Sequence, residues 1–256
     1  MYQVKQYIKF LFKATNQHGV HSPFVYNFVT KCLYDKKKYD TYKKLQNYRK
    51  TLKNSKVELD ITDLGEGSKT LGNNVRKVSQ MVSASSSSKK EAKLLYRVVQ
   101  YFKLESVLEL GTSLGMGTYA LALANHNSKI TTIEGCKNTS NFTESQFESL
   151  DVNNVNFNIG AFASEIKKLD QTHFDCIYFD GHHNKEATIK YFETLLPKAH
   201  NDSIFIFDDI YWSKEMTEAW EYIKAHNSVT VTIDCFHLGF VFFRKEQAKE
   251  HFKIRL

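Results

Sequence analysis

Apolar positions follow two regimes along this chain. Near the start they recur at helical intervals: Val4, Tyr7, Ile8, Leu11 and Phe12 predict a helix over the first dozen residues. Ser22 followed by Pro23 is a helix start, with the serine as cap and the proline in the first turn. Phe24, Val25, Phe28, Val29, Cys32 and Leu33 then form one apolar stripe. Residues 34–58 are rich in Lys and Tyr and poor in branched apolar side chains, which predicts an exposed helix or loop. Turn-forming residues occupy 63–68, and a serine-rich hinge runs from Ser83 to Ser88.

Beyond the hinge, short apolar runs alternate with amphipathic stretches. Leu95, Val98, Val99 and Phe102 mark a helix face. Strands are predicted at Ser106–Leu110, Lys129–Glu134, Val155–Ile159, Phe174–Phe179 and Ser203–Phe207. Helical patterns at 119–125, 139–150, 185–196 and 214–224 separate or follow them. That order implies a parallel sheet covered on both faces. Two last strands, near 229–234 and 240–243, have no room for a helix between them and predict an antiparallel hairpin at the sheet edge. The expected architecture is α/β and Rossmann-like, with seven mostly parallel strands and that closing hairpin. Residues 1–90 form an N-terminal helical region, as lid, substrate platform or dimer surface, and residues 91–256 the main domain.

Composition narrows the field without deciding it. The chain has 256 residues, 42% of them apolar, with two prolines and eleven glycines, which excludes disordered and collagen-like classes. No apolar run approaches the ~20 residues of a bilayer span, so no membrane partner is expected. The first residues mix lysine with apolar side chains and offer no small-residue cleavage site, so the expected compartment is the cytoplasm. Cys32, Cys136, Cys176 and Cys235 lie too far apart for a zinc ribbon or disulfide framework. A net charge of +7 suits a lysine-rich soluble surface before it suits a nucleic-acid partner. The same holds for the lysines interleaved with Tyr39, Tyr42 and Tyr48.

The chemistry concentrates at predicted strand ends. Val107 to Thr118 reads as strand, glycine-rich turn and helix, with Gly111, Thr112, Ser113, Gly115 and Gly117 placed to let backbone approach a ligand. Glu134 ends the next strand, 23 positions after Gly111, where an acid accepts the ribose hydroxyls of an adenosine cofactor. The third strand runs into Ala161 and Phe162, candidates for the adenine edge. The fourth ends at Asp180-Gly181-His182-His183 and the fifth at Asp208-Asp209. Three carboxylates from adjacent strand ends, Asp180, Asp208 and Asp209, would suit magnesium. Asp63-Leu64-Gly65-Glu66-Gly67 imitates the glycine turn but lacks a strong strand before it and a correctly spaced acid after it.

Taken together, roughly residues 91–245 resemble class I S-adenosylmethionine-dependent methyltransferases. Residues 107–118 look like their first motif, and Glu134 like the acid that ends their second strand. Asp180-Gly181-His182-His183 resembles an Asp-Gly-x-His motif of a bacterial subgroup, and 203–212 the fifth strand of catechol- and caffeoyl-coenzyme A-type O-methyltransferases. The resemblance implies that Glu109 and the glycine turn seat the methionine end of S-adenosylmethionine, Glu134 holds the ribose and Asp180 faces the transfer cleft. His183 is the candidate base for a hydroxyl acceptor. It stands where the metal-dependent enzymes carry lysine, and Asp208-Asp209 stands in place of their Asp-Asn, so magnesium and the identity of the base both stay open. The expected partner is a small-molecule methyl acceptor, with a homodimer as one option. Three rivals are an RNA methyltransferase using the basic N-terminal region, an NAD(P)-dependent oxidoreductase and a non-catalytic binding module that kept the fold. The oxidoreductase needs a Tyr-x-x-x-Lys pair after the glycine turn, and none follows it.

Overall fold

The strands and helices alternate as predicted in the computed structural model, which describes residues 1–62, 75–84 and 88–256. Its contacts divide the chain into two units, residues 1–35 with 170–256 and residues 36–169. These units cut the chain elsewhere than residue 90.

Helix α1 (Tyr2–Lys13) buries only Phe10. In α2 (Pro23–Phe28) the Ser22 hydroxyl accepts from the Val25 N–H, as the Ser-Pro signal predicts. A π-helical turn over Val29–Leu33 carries the same stripe onward, so Val25, Phe28, Val29, Cys32 and Leu33 are all buried.

The unit of residues 36–169 begins with α3 (Thr41–Asn54). It is more than an exposed segment: Leu45, Tyr48 and Leu52 lie on one buried face. The signal was weak because a tyrosine takes a core position among lysines. Strands β1 (Glu58–Asp60) and β2 (Val75–Lys77) pair antiparallel, and α4 (Val78–Ala84) follows. The turn predicted over 63–68, with its imitation motif, lies outside the described residues, as do 85–87 of the serine hinge. Ser88 caps α5 (Lys89–Phe102) in a reciprocal box with Glu91. Then come β3 (Ser106–Leu110), α6 (Met116–Ala124), β4 (Lys129–Glu134), α7 (Lys137–Glu148), β5 (Val155–Ile159) and the short α8 (Phe162–Glu165). The three strands β3, β4 and β5 are parallel neighbours in that order, with Leu110 opposite Ile133 and Glu134 opposite Ile159. This register brings the turns after the three strands side by side.

The remaining elements are β6 (Phe174–Phe179), α9 (Lys185–Leu195), β7 (Ala199–Asp208), α10 (Lys214–Ala225), β8 (Val231–Asp234), β9 (Leu238–Phe242) and β10 (Glu250–Lys253). Their order is β6-β7-β9-β8-β10. β6 and β7 are parallel, and β9 runs antiparallel to both β7 and β8, which is the predicted hairpin. The hairpin is not the edge, however. β10 pairs parallel with β8, a strand beyond the predicted hairpin. Residues 250–253 read Glu-His-Phe-Lys and carry one apolar side chain, too little for a periodicity signal.

Residues 1–35 pack within this same unit. Tyr7 meets Phe236 edge-on at 4.8 Å between ring centroids, and Phe10 lies 5.5 Å from it. The Tyr2 hydroxyl donates to Thr217 Oγ1 at 2.9 Å. Phe236 sits at the β8–β9 turn with φ 73°, and its N–H donates to Asp234 Oδ1. All four cysteines are buried and none forms a disulfide.

Candidate active site

The turn between β3 and α6 is built from three residues in the left-handed region: Gly111 at φ 105°, Ser113 at 46° and Gly115 at 70°. Gly115 has a second reason to be glycine. A Cβ there would stand 2.5 Å from Thr143 Cγ2 and 3.0 Å from the Phe147 ring. The turn is braced from outside. The Tyr48 hydroxyl donates to the Leu114 carbonyl (2.8 Å) and the Thr143 hydroxyl to the Ser113 carbonyl (2.8 Å). Neither residue was singled out for this role from sequence, because neither lies near the turn along the chain.

Glu134 leaves the end of β4 half-buried. Its Oε2 accepts from the Ser113 N–H at 2.8 Å and its Oε1 from the Cys136 N–H at 2.9 Å. The carboxylate therefore ties the glycine turn to the start of α7. Each oxygen keeps lone-pair capacity for a further donor, so the helix-start role and a ribose role are compatible. The Gly160 N–H donates to the Glu134 carbonyl, which holds the β5 turn alongside. There Ala161 is exposed and caps α8, while Phe162 is 5% exposed with its ring in the core.

Glu109 is 1% exposed and does not open to solvent. Its Oε2 accepts from Thr118 Oγ1 (2.5 Å) and Thr132 Oγ1 (2.7 Å), and Thr132 Oγ1 also bonds Thr112 Oγ1 (2.6 Å). Burial pushes its carboxyl up to about 7, against the two threonine hydrogen bonds and with a small push from Glu134. Thr112 is part of this buried cluster, and Gly117 lies buried in the first turn of α6. These residues shape the turn from below.

In the unit containing β6 to β10, Asp180 is half-buried, and its Oδ2 accepts from the Tyr178 hydroxyl at 3.1 Å. His182 takes φ 53° and Asp209 the same value, so both strand ends turn sharply. Asn184 caps α9 through the Ala187 N–H. His183 lies 6.5 Å from Trp212 ring to ring. Burial holds the His183 imidazole below its ordinary range, Asp209 draws it back up and His182 lowers it further. Trp212 is 55% exposed, and its N–H donates to the Asp209 carbonyl. Tyr211 is instead a core residue. It stacks on Phe236 at 5.0 Å and donates to Asp234 Oδ2 at 2.6 Å, and Lys253 Nζ bonds the same oxygen at 2.6 Å.

The expected magnesium group does not assemble. Among the described residues no three His, Cys, Asp or Glu side chains come together as a metal requires. Asp180, Asp208 and Asp209 form no such group.

The parallel strands with the glycine turn and the strand-end acid define a Rossmann-like α/β fold. Residues 108–210 match the family model described as a methyltransferase domain. No curated protein sequence matches the chain. Among solved structures, a methyltransferase from Podospora anserina with S-adenosylhomocysteine bound is similar at TM-score 0.61 and 12% identity, over 88% of this chain and 97% of that one. An O-methyltransferase from Bacillus cereus, also with S-adenosylhomocysteine, gives 0.57 and 17%, over 84% and 96%. The O-methyltransferase TomG of Streptomyces achromogenes, involved in tomaymycin synthesis and complexed with S-adenosylmethionine, gives 0.57 and 15%, over 84% and 95%. These likenesses favour neither the oxidoreductase nor the RNA-directed alternative. Among the described residues no helix is long and apolar enough to cross a membrane.

Proposed function

We propose that this protein is an S-adenosylmethionine-dependent methyltransferase acting on a hydroxyl oxygen of a small molecule. The observation that carries the reading is the Glu134 carboxylate, fixed by the Ser113 and Cys136 N–H groups beside a left-handed glycine turn. Those residues fit the cofactor: Glu134 holds the ribose, and the backbone of Gly111, Ser113 and Gly115 admits the methionine end. Ala161 borders the adenine. Glu109 acts through the turn it supports. When bound, S-adenosylmethionine supplies an electrophilic methyl group on a sulfonium. Residues 91–256 carry this chemistry and residues 1–90 are the accessory region, from which Tyr48 braces the turn.

His183 is the residue that would take the acceptor's hydroxyl proton when the methyl group is transferred. Burial keeps its imidazole neutral near neutral pH, which a base requires. Asp209 stabilises the imidazolium once the proton has arrived. Asp180 orients the acceptor. The remaining contribution is alignment of the oxygen with the methyl carbon, for which no covalent intermediate is needed.

Calorimetric titration with S-adenosylhomocysteine, with NADH as control, tests the cofactor. Binding of the first alone supports the reading, and binding of NADH alone overturns it. A screen of hydroxylated acceptors then tests the chemistry. His183→Ala should retain S-adenosylhomocysteine affinity, lose turnover and lose the acid limb of the kcat profile. An unchanged pH profile removes His183 as base.

A further inference from the structure

The first helix is turned the opposite way from most surface helices. Its buried side is Phe10, flanked by the half-buried Tyr2 and Gln6, while Val4, Ile8 and Phe12 face water and Leu11 is half-buried. Val4 is 63% exposed, Ile8 50% and Phe12 87%, in one row at four-residue intervals. Met1 continues the row beyond the helix start. A second row, Lys5, Lys9 and Lys13, runs immediately beside it and is exposed throughout. No acidic residue occurs between Tyr2 and Lys13. The helix is nevertheless held in place, by Tyr7 and Phe10 against Phe236 and by Tyr2 against Thr217. Gln3 Nε2 also donates to the Trp212 carbonyl at 3.3 Å, which sets an exposed indole residue beside the same helix.

We infer that α1 is a docking face for an anionic lipid surface. An aliphatic row flanked by a lysine row is what a helix lying in the headgroup plane needs, with apolar side chains entering the acyl boundary and ammonium groups pairing with phosphates. Charge selects this occupant over the others. A second copy would bring the same lysines against these and supply no acid from α1. A nucleic acid would pair with the lysines and leave Val4, Ile8 and Phe12 in water. This departs from the expectation of no membrane partner, through a helix of 12 residues that lies in the interface and does not span it. This face does not depend on the methyltransferase reading.

The test is co-sedimentation of the full chain with vesicles of equal parts phosphatidylcholine and phosphatidylglycerol, beside vesicles of phosphatidylcholine alone. The protein should partition onto the mixed vesicles, weakly onto the neutral ones, and detach as salt is raised. Ile8→Ser with Phe12→Ser should cut the partition by about tenfold or more, with an unchanged melting temperature because both side chains are exposed. Changing Lys5, Lys9 and Lys13 to Gln should weaken it roughly a hundredfold. Both variants should keep the parent affinity for S-adenosylhomocysteine. The inference is overturned by absence of co-sedimentation, by equal binding to both vesicles, or by binding that ignores the Ile8/Phe12 change. It is equally overturned by a dimer in light scattering that the same change dissolves, which would make the occupant a second copy.

Discussion

Replacing Glu109 with glutamine isolates a carboxyl whose burial is nearly complete. In the folded protein this group titrates near 7, against an ordinary value of 4.5, because desolvation outweighs its bonds from Thr118 and Thr132. At one pKa unit per ~1.4 kcal/mol, the shift corresponds to about 3 kcal/mol. The native state holds this proton where the unfolded state has released it. Wild-type stability from this group is therefore full below the unfolded value and is lost as pH rises from 4.5 toward about 7. Glutamine has the shape of the neutral acid and still accepts from both threonines, but it does not titrate. Urea denaturation between about pH 5 and pH 8 reads the difference directly. The variant should be close to wild type at the acid end and gain on it progressively, by about 3 kcal/mol at the alkaline end. Parallel stability profiles for the two proteins would refute the argument, since Glu109 would then ionise alike in both states. A variant less stable at every pH would show that the charged form is the one the threonines hold.

Two further outcomes bear on the same turn. Glu134→Ala should weaken S-adenosylhomocysteine binding by about 1–3 kcal/mol in calorimetry, through loss of charge-assisted hydrogen bonds, and unchanged affinity in a folded variant would remove the ribose role. Gly115→Ala should cost about 2–4 kcal/mol in chemical denaturation, combining left-handed backbone strain with overpacking against Thr143 and Phe147, and a cost below ~1 kcal/mol would mean that α7 yields readily.

What was legible in the sequence was whatever is local and periodic. β3 to β6 have the predicted boundaries, most clearly β3 and β6, since a buried parallel strand is a short continuous apolar run bounded by turn residues. The Ser22 cap and the spacing of Gly111 to Glu134 were equally local. The contacts that brace the site were not. Tyr48 reaches Leu114 across 66 residues and Thr143 reaches Ser113 across 30, and in each case the side chain alone carries no hint of its partner. Nor does spacing say whether carboxylates at strand ends converge: among the described residues Asp180, Asp208 and Asp209 form no group of the kind that holds a metal.

The first helix shows how far periodicity reaches. The spacing of Val4, Tyr7, Ile8, Leu11 and Phe12 predicts a helix, and α1 is present over those residues. An apolar face normally marks the side that packs inward. Here the anchoring side is chosen by aromatic contacts instead. Phe10 and Tyr7 close on Phe236, whose own position depends on the Asp234 side chain holding the β8–β9 turn. Asp234 in turn binds Tyr211 and Lys253, the latter on the unpredicted strand β10. The outward apolar row of α1 is thus a consequence of a buried polar cluster about 200 residues or more away in sequence. Hydrophobic spacing specifies that a helix forms; only the partner's geometry specifies which face it shows to water.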